Sequence, residues 1–506
     1  MYQRSSGLLC HITSLPGPHG IGGLGDEAFR FIDVLRSAEQ HLWQVLPLGP
    51  AGGGDSPYDS RSSYAGNPMM ISMTRLRDAG LLDDGDVSVN TPFRDDRVEF
   101  RRVERWKGRR LRKAFERFCA SDRKQLQDEY DAFHAANAEW LDDFTLYQSL
   151  REAHDGKAWL RWPAGLRNRE ATEIDSARKH LADEIAFQSF VQFVFDYQWR
   201  QLKQYANECG VSIMGDIPIY VALDSADVWA HQDQFLLDPD GRPTVQAGVP
   251  PDLFSSDGQL WGNPVYDWDL MSRDGYTWWA SRIQRVLELT DIVRIDHFRG
   301  FAAGWQVPAG EKTARNGTWE PGPGRAFFET VQDRIGEMPI IVEDLGVITP
   351  DVDRLREELG YPGMKVLQFA FGDDASNPYL PHNATPNSMV YTGTHDNDTT
   401  AGWYRSLPES EKRHVRKYLR TRGESVHRDM IRAAWGGVSV LACAPVQDLL
   451  GLGNDARMNV PGKARGNWGW RLQTLEPLRR RREFLGDLTT LFGRDQAPFP
   501  DQTGSA

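Results

Sequence analysis

Eight short apolar runs, each closing on loop-forming or charged residues, recur along the chain: SGLLCHITS, HLWQVLPLGP, VSIMGDIPIY, DIVRIDHFRG, PIIVEDLG, MKVLQFAFG, NSMVYTGTHD and VSVLACAPVQD. Each has the length of a buried strand. Between most of them lie segments with apolar residues at helical spacing, such as DEAFRFIDVLRSA and TPDVDRLREELG. The second of these opens on Thr349, Pro350 and Asp351 as cap and first-turn residues. Strands alternating with helices predict a parallel sheet. Eight such units predict an α/β fold closed into a (β/α)8 barrel of the TIM type, with a doubly wound open sheet as the alternative.

Two stretches break the rhythm. From about residue 75 to 184 the sequence is charge-rich and helical, as in RRVERWKGRRLRKAFERFCASDRKQLQDEYDAF, which predicts a helical insertion on one barrel loop. Acidic residues interleave with the basic ones, so solvated helix faces explain the charge better than an RNA-binding arm. Residues from about 225 to 272 are rich in Gly, Pro, Asp and aromatics and predict a loop insertion over the C-terminal face of the strands, a lid or substrate platform. Residues 1–490 are expected to form a single catalytic barrel and 491–506 a flexible tail.

Composition narrows the function. The 506 residues carry 59 Lys and Arg against 71 Asp and Glu, a formal charge of −12 that disfavours nucleic acid and anionic membranes as partners. A neutral substrate fits best. Cys10, Cys119, Cys209 and Cys443 show no CxxC spacing, which argues against a disulfide framework and a thiolate metal site and for a reducing compartment. The N-terminal MYQRSSGLLCHITSLPG is too short in apolar residues for a secretory signal, and no run of 18 apolar residues occurs. A cytoplasmic protein, monomeric or weakly homo-oligomeric, is expected. The 17 tryptophans suit sugar stacking, but core packing is the better default for most of them.

Candidate chemistry lies at the strand ends. Four of the runs finish at a carboxylate, Asp216, Asp296, Glu343 and Asp396, and in a barrel those ends share the face that carries active sites. In DIVRIDHFRG the strand period of two puts Arg294 and Asp296 on one side and Ile295 on the other. Paired burial of opposite charges is a poor stabiliser, so chemistry is the stronger reason for it.

Clustered carboxylates indicate a divalent metal, an acid/base pair or salt-bridged structure. His297 and His395 stand beside Asp296 and Asp396, but adjacent strand residues point to opposite faces and chelate poorly unless the chain turns there. Retaining glycosyl transfer needs an ionised carboxylate nucleophile and a protonated acid, about 5 to 5.5 Å apart. Arg294 favours the charged form of Asp296. Glu343, after the apolar PIIV and near an anionic aspartate, is expected to be raised toward an acid's working range. Asp396 would stabilise the transition state or clamp sugar hydroxyls, with His297 and His395 as hydrogen-bond donors to those hydroxyls or as histidines satisfied by loop carbonyls.

Five ordered motifs then carry a resemblance: GDSPYDSRSSYAGNP, DIVRIDHFRGF, IIVEDLG, YTGTHDNDT and QDLLGLGNDARMNVPG. Together they resemble the amylomaltases, 4-alpha-glucanotransferases of the alpha-amylase clan, from about Ser6 to about Leu485. The resemblance implies Asp296 as nucleophile, Glu343 as general acid/base and Asp396 as transition-state stabiliser. It implies that Arg294, His297, His395 and Asp216 bind the sugar at the cleaved bond and that Tyr58 stacks on its ring. The segment GVPPDLFSSDGQLWGNP matches a loop over the cleft and implies Asp252, Phe254 and Trp261 near bound glucan. It further implies an alpha-1,4-glucan donor, a glucose or maltooligosaccharide acceptor and no metal or organic cofactor. Leu253 stands where many members carry an aromatic, so one stacking contact differs, and the chain resembles the short form without an extra N-terminal domain.

Overall fold

The computed structural model describes residues 2–121, 123–251 and 255–499. Twelve strands are present among them, numbered along the chain. They are β1 (Ser5–Leu9), β2 (Leu42–Gln44), β3 (Ser212–Pro218), β4 (Val245–Val249), β5 (Gln259–Pro264) and β6 (Ile292–Asp296). There follow β7 (Ala303–Pro308), β8 (Thr318–Pro321), β9 (Ile340–Val342), β10 (Gly363–Val366), β11 (Ser388–Tyr391) and β12 (Leu441–Pro445).

Eight of these form one parallel sheet in the order β10-β11-β12-β1-β2-β3-β6-β9. Each lies in one of the eight apolar runs, and each but β9 pairs with its successor around the barrel. A doubly wound sheet would reverse that order part-way. The two ends of the order, β9 and β10, are joined where the Val342 N–H donates to the Pro362 carbonyl at 3.0 Å, so the sheet is a nearly closed barrel.

Inside the barrel the strand period of two is visible as layers. Leu9, Leu42, Met214, Ile292, Ile341, Met364, Met389 and Leu441 pack together as an apolar plug. Residues two further along three of those strands, Asp216, Arg294 and Glu343, form the next layer toward the C-terminal ends. Val293 and Ile295 face the other way, into a cluster with Phe298, Phe301, Phe327 and Phe328 that includes the outer helices. The plug closes the barrel below, and the charged residues face the open end.

The region between β2 and β3 is helical, with long helices at Phe100–Cys119, Lys124–Ala153 and Ala182–Glu208. The last of these crosses the expected boundary near residue 184. From Phe187 to Trp199 it is buried on nearly every side, its polar residues Gln188, Ser189, Gln192, Asp196 and Gln198 included, because it lies between the barrel and the insertion; Trp199 Nε1 donates to the Leu289 carbonyl at 2.7 Å.

The segment expected as a loop at 225–272 holds two strands. β4 and β5 belong to a second, antiparallel sheet, order β5-β4-β7-β8, completed by a hairpin that follows β6. Alternating exposure along β5 marks it as a half-exposed sheet rather than a loose lid.

The C-terminal segment also differs from a flexible tail up to residue 499. A helix reaches Leu491, Asp495 bridges to Ser5, and the Gln3 N–H donates to the Pro498 carbonyl at 2.7 Å. Arg494, fully buried, donates to the carbonyls of Ser5 (3.0 Å), Trp435 (2.7 Å) and Ser439 (2.9 Å). Arg4 shares the Trp435 and Ser439 carbonyls from the other side. Arg494→Met should therefore lower the unfolding free energy by about 3 kcal/mol or more, since hydrogen bonds to a charged group contribute about 1.5–3 kcal/mol each. Urea denaturation with the midpoint compared at fixed slope reads this directly.

Among the described residues no helix is long and apolar enough to cross a membrane.

Candidate active site

β3, β6 and β9 end side by side, in register Asp216 with Arg294 and Ile295 with Val342. The Arg294 guanidinium spans two carboxylates. Its Nη1 donates to Asp216 Oδ2 at 2.5 Å and its Nη2 to Asp296 Oδ1 at 2.7 Å. Burial alone would lower the guanidinium, but Asp216 and Asp296 carry it well above its ordinary value, so it stays charged. Asp216 Oδ2 also accepts from the Tyr58 hydroxyl at 2.6 Å. Burial raises the Asp216 carboxyl and Arg294 opposes this. The Asp216 side chain has no exposed surface, so it lies behind Arg294 and Tyr58 rather than on the cleft wall.

At Asp296 the strand ends and the chain turns. His297 has a left-handed φ of +52°, so it leaves the strand alternation and lines the cleft together with Asp296. The same turn aims two backbone donors at the next strand end. The His297 N–H donates to Glu343 Oε2 at 2.8 Å and the Phe298 N–H to the Glu343 carbonyl at 3.1 Å. The Leu345 N–H donates to Oε1 at 2.7 Å. Burial, with the Asp296 charge added, nevertheless raises the Glu343 carboxyl to about 8, against Arg294 and the two backbone donors. Burial also brings His297 down to about 4 despite Asp296, which leaves its imidazole neutral at pH 7. Its Nε2 is buried and has no hydrogen-bond partner among the described residues.

The loop after β11 brings in His395 and Asp396. His395 is buried and stacks on Tyr58, ring centroids 4.9 Å apart and planes at 15°. His395 Nε2 lies 3.4 Å from Asp396 Oδ2. Asp396 Oδ1 accepts from Asn459 Nδ2 at 2.6 Å. Trp261, on β5, meets His297 edge-on with centroids 4.7 Å apart and is 38% exposed, one of few large apolar side chains left open.

Together Tyr58, Trp261, Asp296, His297, His395 and Asp396 line one solvent-open cleft of about 790 Å³, roomy enough for several sugar rings. Of the residues singled out in the sequence, Asp252 and Phe254 lie outside the described residues. Two contributors have no counterpart in the sequence reading. Asn459 and Arg457 stand inside the quoted motif QDLLGLGNDARMNVPG, but a neutral amide and a lone arginine carry no signature comparable to a strand-end carboxylate.

A family model described as 4-alpha-glucanotransferase matches residues 10–476. The chain belongs to the 4-alpha-glucanotransferase family. A 4-alpha-glucanotransferase of Synechocystis is 47% identical over 97% of this chain and 98% of its own length. One of Thermus thermophilus is 48% identical over 93% of this chain and 95% of its own. Among solved structures, an amylomaltase from Streptococcus agalactiae in complex with acarbose superposes with a TM-score of 0.93 at 38% identity, covering 97% of this chain and all of that one. The protein is thus an enzyme, a glycosyltransferase of the 4-alpha-glucanotransferase or amylomaltase type on a TIM barrel.

Proposed function

We propose that the enzyme moves segments of an alpha-1,4-glucan to the 4-hydroxyl of glucose or a maltooligosaccharide by retaining double displacement, with Asp296 as nucleophile and Glu343 as acid/base. The supporting observation is the different setting of the two carboxylates: Asp296 Oδ1 accepts from the buried guanidinium of Arg294, which holds it in place at the strand end, whereas burial raises Glu343 to about 8. Glu343 is thereby prepared to give a proton at neutral pH.

In this scheme Glu343 protonates the glycosidic oxygen while an Asp296 carboxylate oxygen attacks the anomeric carbon. The bond to the leaving sugar breaks and a covalent glycosyl ester forms. The shortened glucan leaves, and the acceptor 4-hydroxyl enters, giving its proton to Glu343 as it displaces Asp296. Two inversions retain the alpha configuration. Asp396 stabilises the positive charge that develops on the ring in both transition states, and neutral His297 donates from Nε2 to a sugar hydroxyl. Trp261 offers an apolar face beside it. The amylomaltase of similar structure that holds acarbose supports an oligosaccharide as occupant of the cleft.

Trapping tests the scheme. A 5-fluoro alpha-glycosyl fluoride slows both steps while its anomeric fluoride leaves without a proton. Mass spectrometry of a peptic digest is expected to find the sugar on the peptide holding Asp296. A label on another residue, or a first product of beta configuration, would overturn the assignment.

A further inference from the structure

Of the three carboxylates given roles above, Asp396 is the one furthest along the chain from the end of its strand. β11 ends at Tyr391 and Asp396 lies further along the connecting loop, its side chain 47% exposed. Asp296 is tied to Arg294 and Glu343 to two backbone amides. What fixes Asp396 comes from a different part of the chain, the segment that follows β12.

Arg457 is the centre of that contact. Its Nη2 donates to the Asp396 carbonyl at 2.6 Å and its Nε to the Asn459 carbonyl, also at 2.6 Å. Asn459 completes the link twice, through Nδ2 to Asp396 Oδ1 at 2.6 Å and through its backbone N–H to the His395 carbonyl at 3.2 Å. Three hydrogen bonds thus join residues 395–396 to residues 457–459, one of them from the Arg457 guanidinium, which at the same time braces the Asn459 carbonyl within its own segment.

We propose that Arg457 is a positioning residue: by holding the Asp396 and Asn459 carbonyls in one planar fork, it fixes where the Asp396 carboxylate points. Arg457 is not among the residues that line the cleft, whereas Asn459 and Asp396 are. It therefore acts through Asp396. A guanidinium suits the task because its donors are coplanar and fixed in separation, and a lysine ammonium presents no such fork. The inference rests on the role assigned to Asp396 in the proposed mechanism.

The sensitivity expected is large, because misplacing a catalytic group by about 1 Å costs on the order of 10²-fold in rate. Arg457→Met should lower kcat for maltotriose disproportionation by roughly 10²-fold with KM nearly unchanged. Arg457→Lys should recover only part of the loss. Rates are referred to active sites counted by the fluorosugar label, so that a smaller folded fraction does not register as a lower kcat. Should Arg457→Met fail to fold, Arg457→Lys carries the same comparison.

The decisive measurement is the double variant. In an Asp396→Asn background the carboxylate is already gone, so adding Arg457→Met should cause no further loss of kcat. Losses that multiply, or a parental kcat in Arg457→Met, would overturn the proposal. If Asp396→Asn alone keeps parental activity, the role of Asp396 falls first and the positioning role with it, an outcome distinct from the other two.

Discussion

Glu343→Gln should cut transfer from maltotriose by roughly 10²–10⁴-fold, the usual contribution of a general acid, while leaving the first step from alpha-maltosyl fluoride close to the parental rate. Fluoride departs without a proton, so the missing acid is not needed. Rapid-quench measurement of fluoride release separates that step from the slower transfer. Equal losses with both donors would place Glu343 outside the acid role. The pH profile supplies a second reading. The acid must be protonated in the free enzyme, and burial raises Glu343 to about 8. Parental kcat/KM should therefore hold from neutral pH and fall as pH rises through about 8, and Glu343→Gln should lose that alkaline limb.

Arg294→Met should be the most destabilising single change at the site. The guanidinium pairs two carboxylates, and the Asp216 side chain is completely enclosed. Removing one partner of a buried pair costs about 3–5 kcal/mol, because the remaining charge is left uncompensated. The sign of the pH dependence follows. Burial already holds the enclosed Asp216 carboxyl above its ordinary value against Arg294, and without Arg294 it would sit further above. A raised carboxyl contributes stability below its folded pKa and loses it as pH rises. The deficit against the parent should thus be larger at pH 8 than at pH 5 in denaturant titrations, and a deficit independent of pH would contradict this electrostatic account.

All eight barrel strands were legible because each lies in a short, mainly apolar run with a polar or glycine stop, the mark of a strand buried on both faces. The pairing of Arg294 with Asp296 was legible for a related reason, since period two fixes which neighbours share a side. The small antiparallel sheet was not. Its strands are half exposed and lie on either side of β6, so no local period announces a pairing of Gln246 with Val307. The histidines show the limit of a periodic rule. Strand alternation sends His297 away from Asp296, but the turn that begins there reverses this, and a left-handed φ on a histidine has no sequence signal. Asp216 was legible as a strand-end carboxylate, but that it lies beneath Tyr58 depends on a loop more than 150 residues earlier in the chain.

Histidine at position 297 works against the backbone's own preference. An L-residue in the left-handed region is disfavoured by roughly 1–2 kcal/mol, and glycine escapes that penalty. A programme aimed at heat tolerance would therefore nominate glycine here, as it would at any positive-φ site. The nomination should be refused: it would trade away the imidazole that borders Asp296 and loosen the amide that grips Glu343. Thermostable descendants of this enzyme are better sought at Arg420 or Glu39, where nearly the same φ occurs at residues that do not line the cleft.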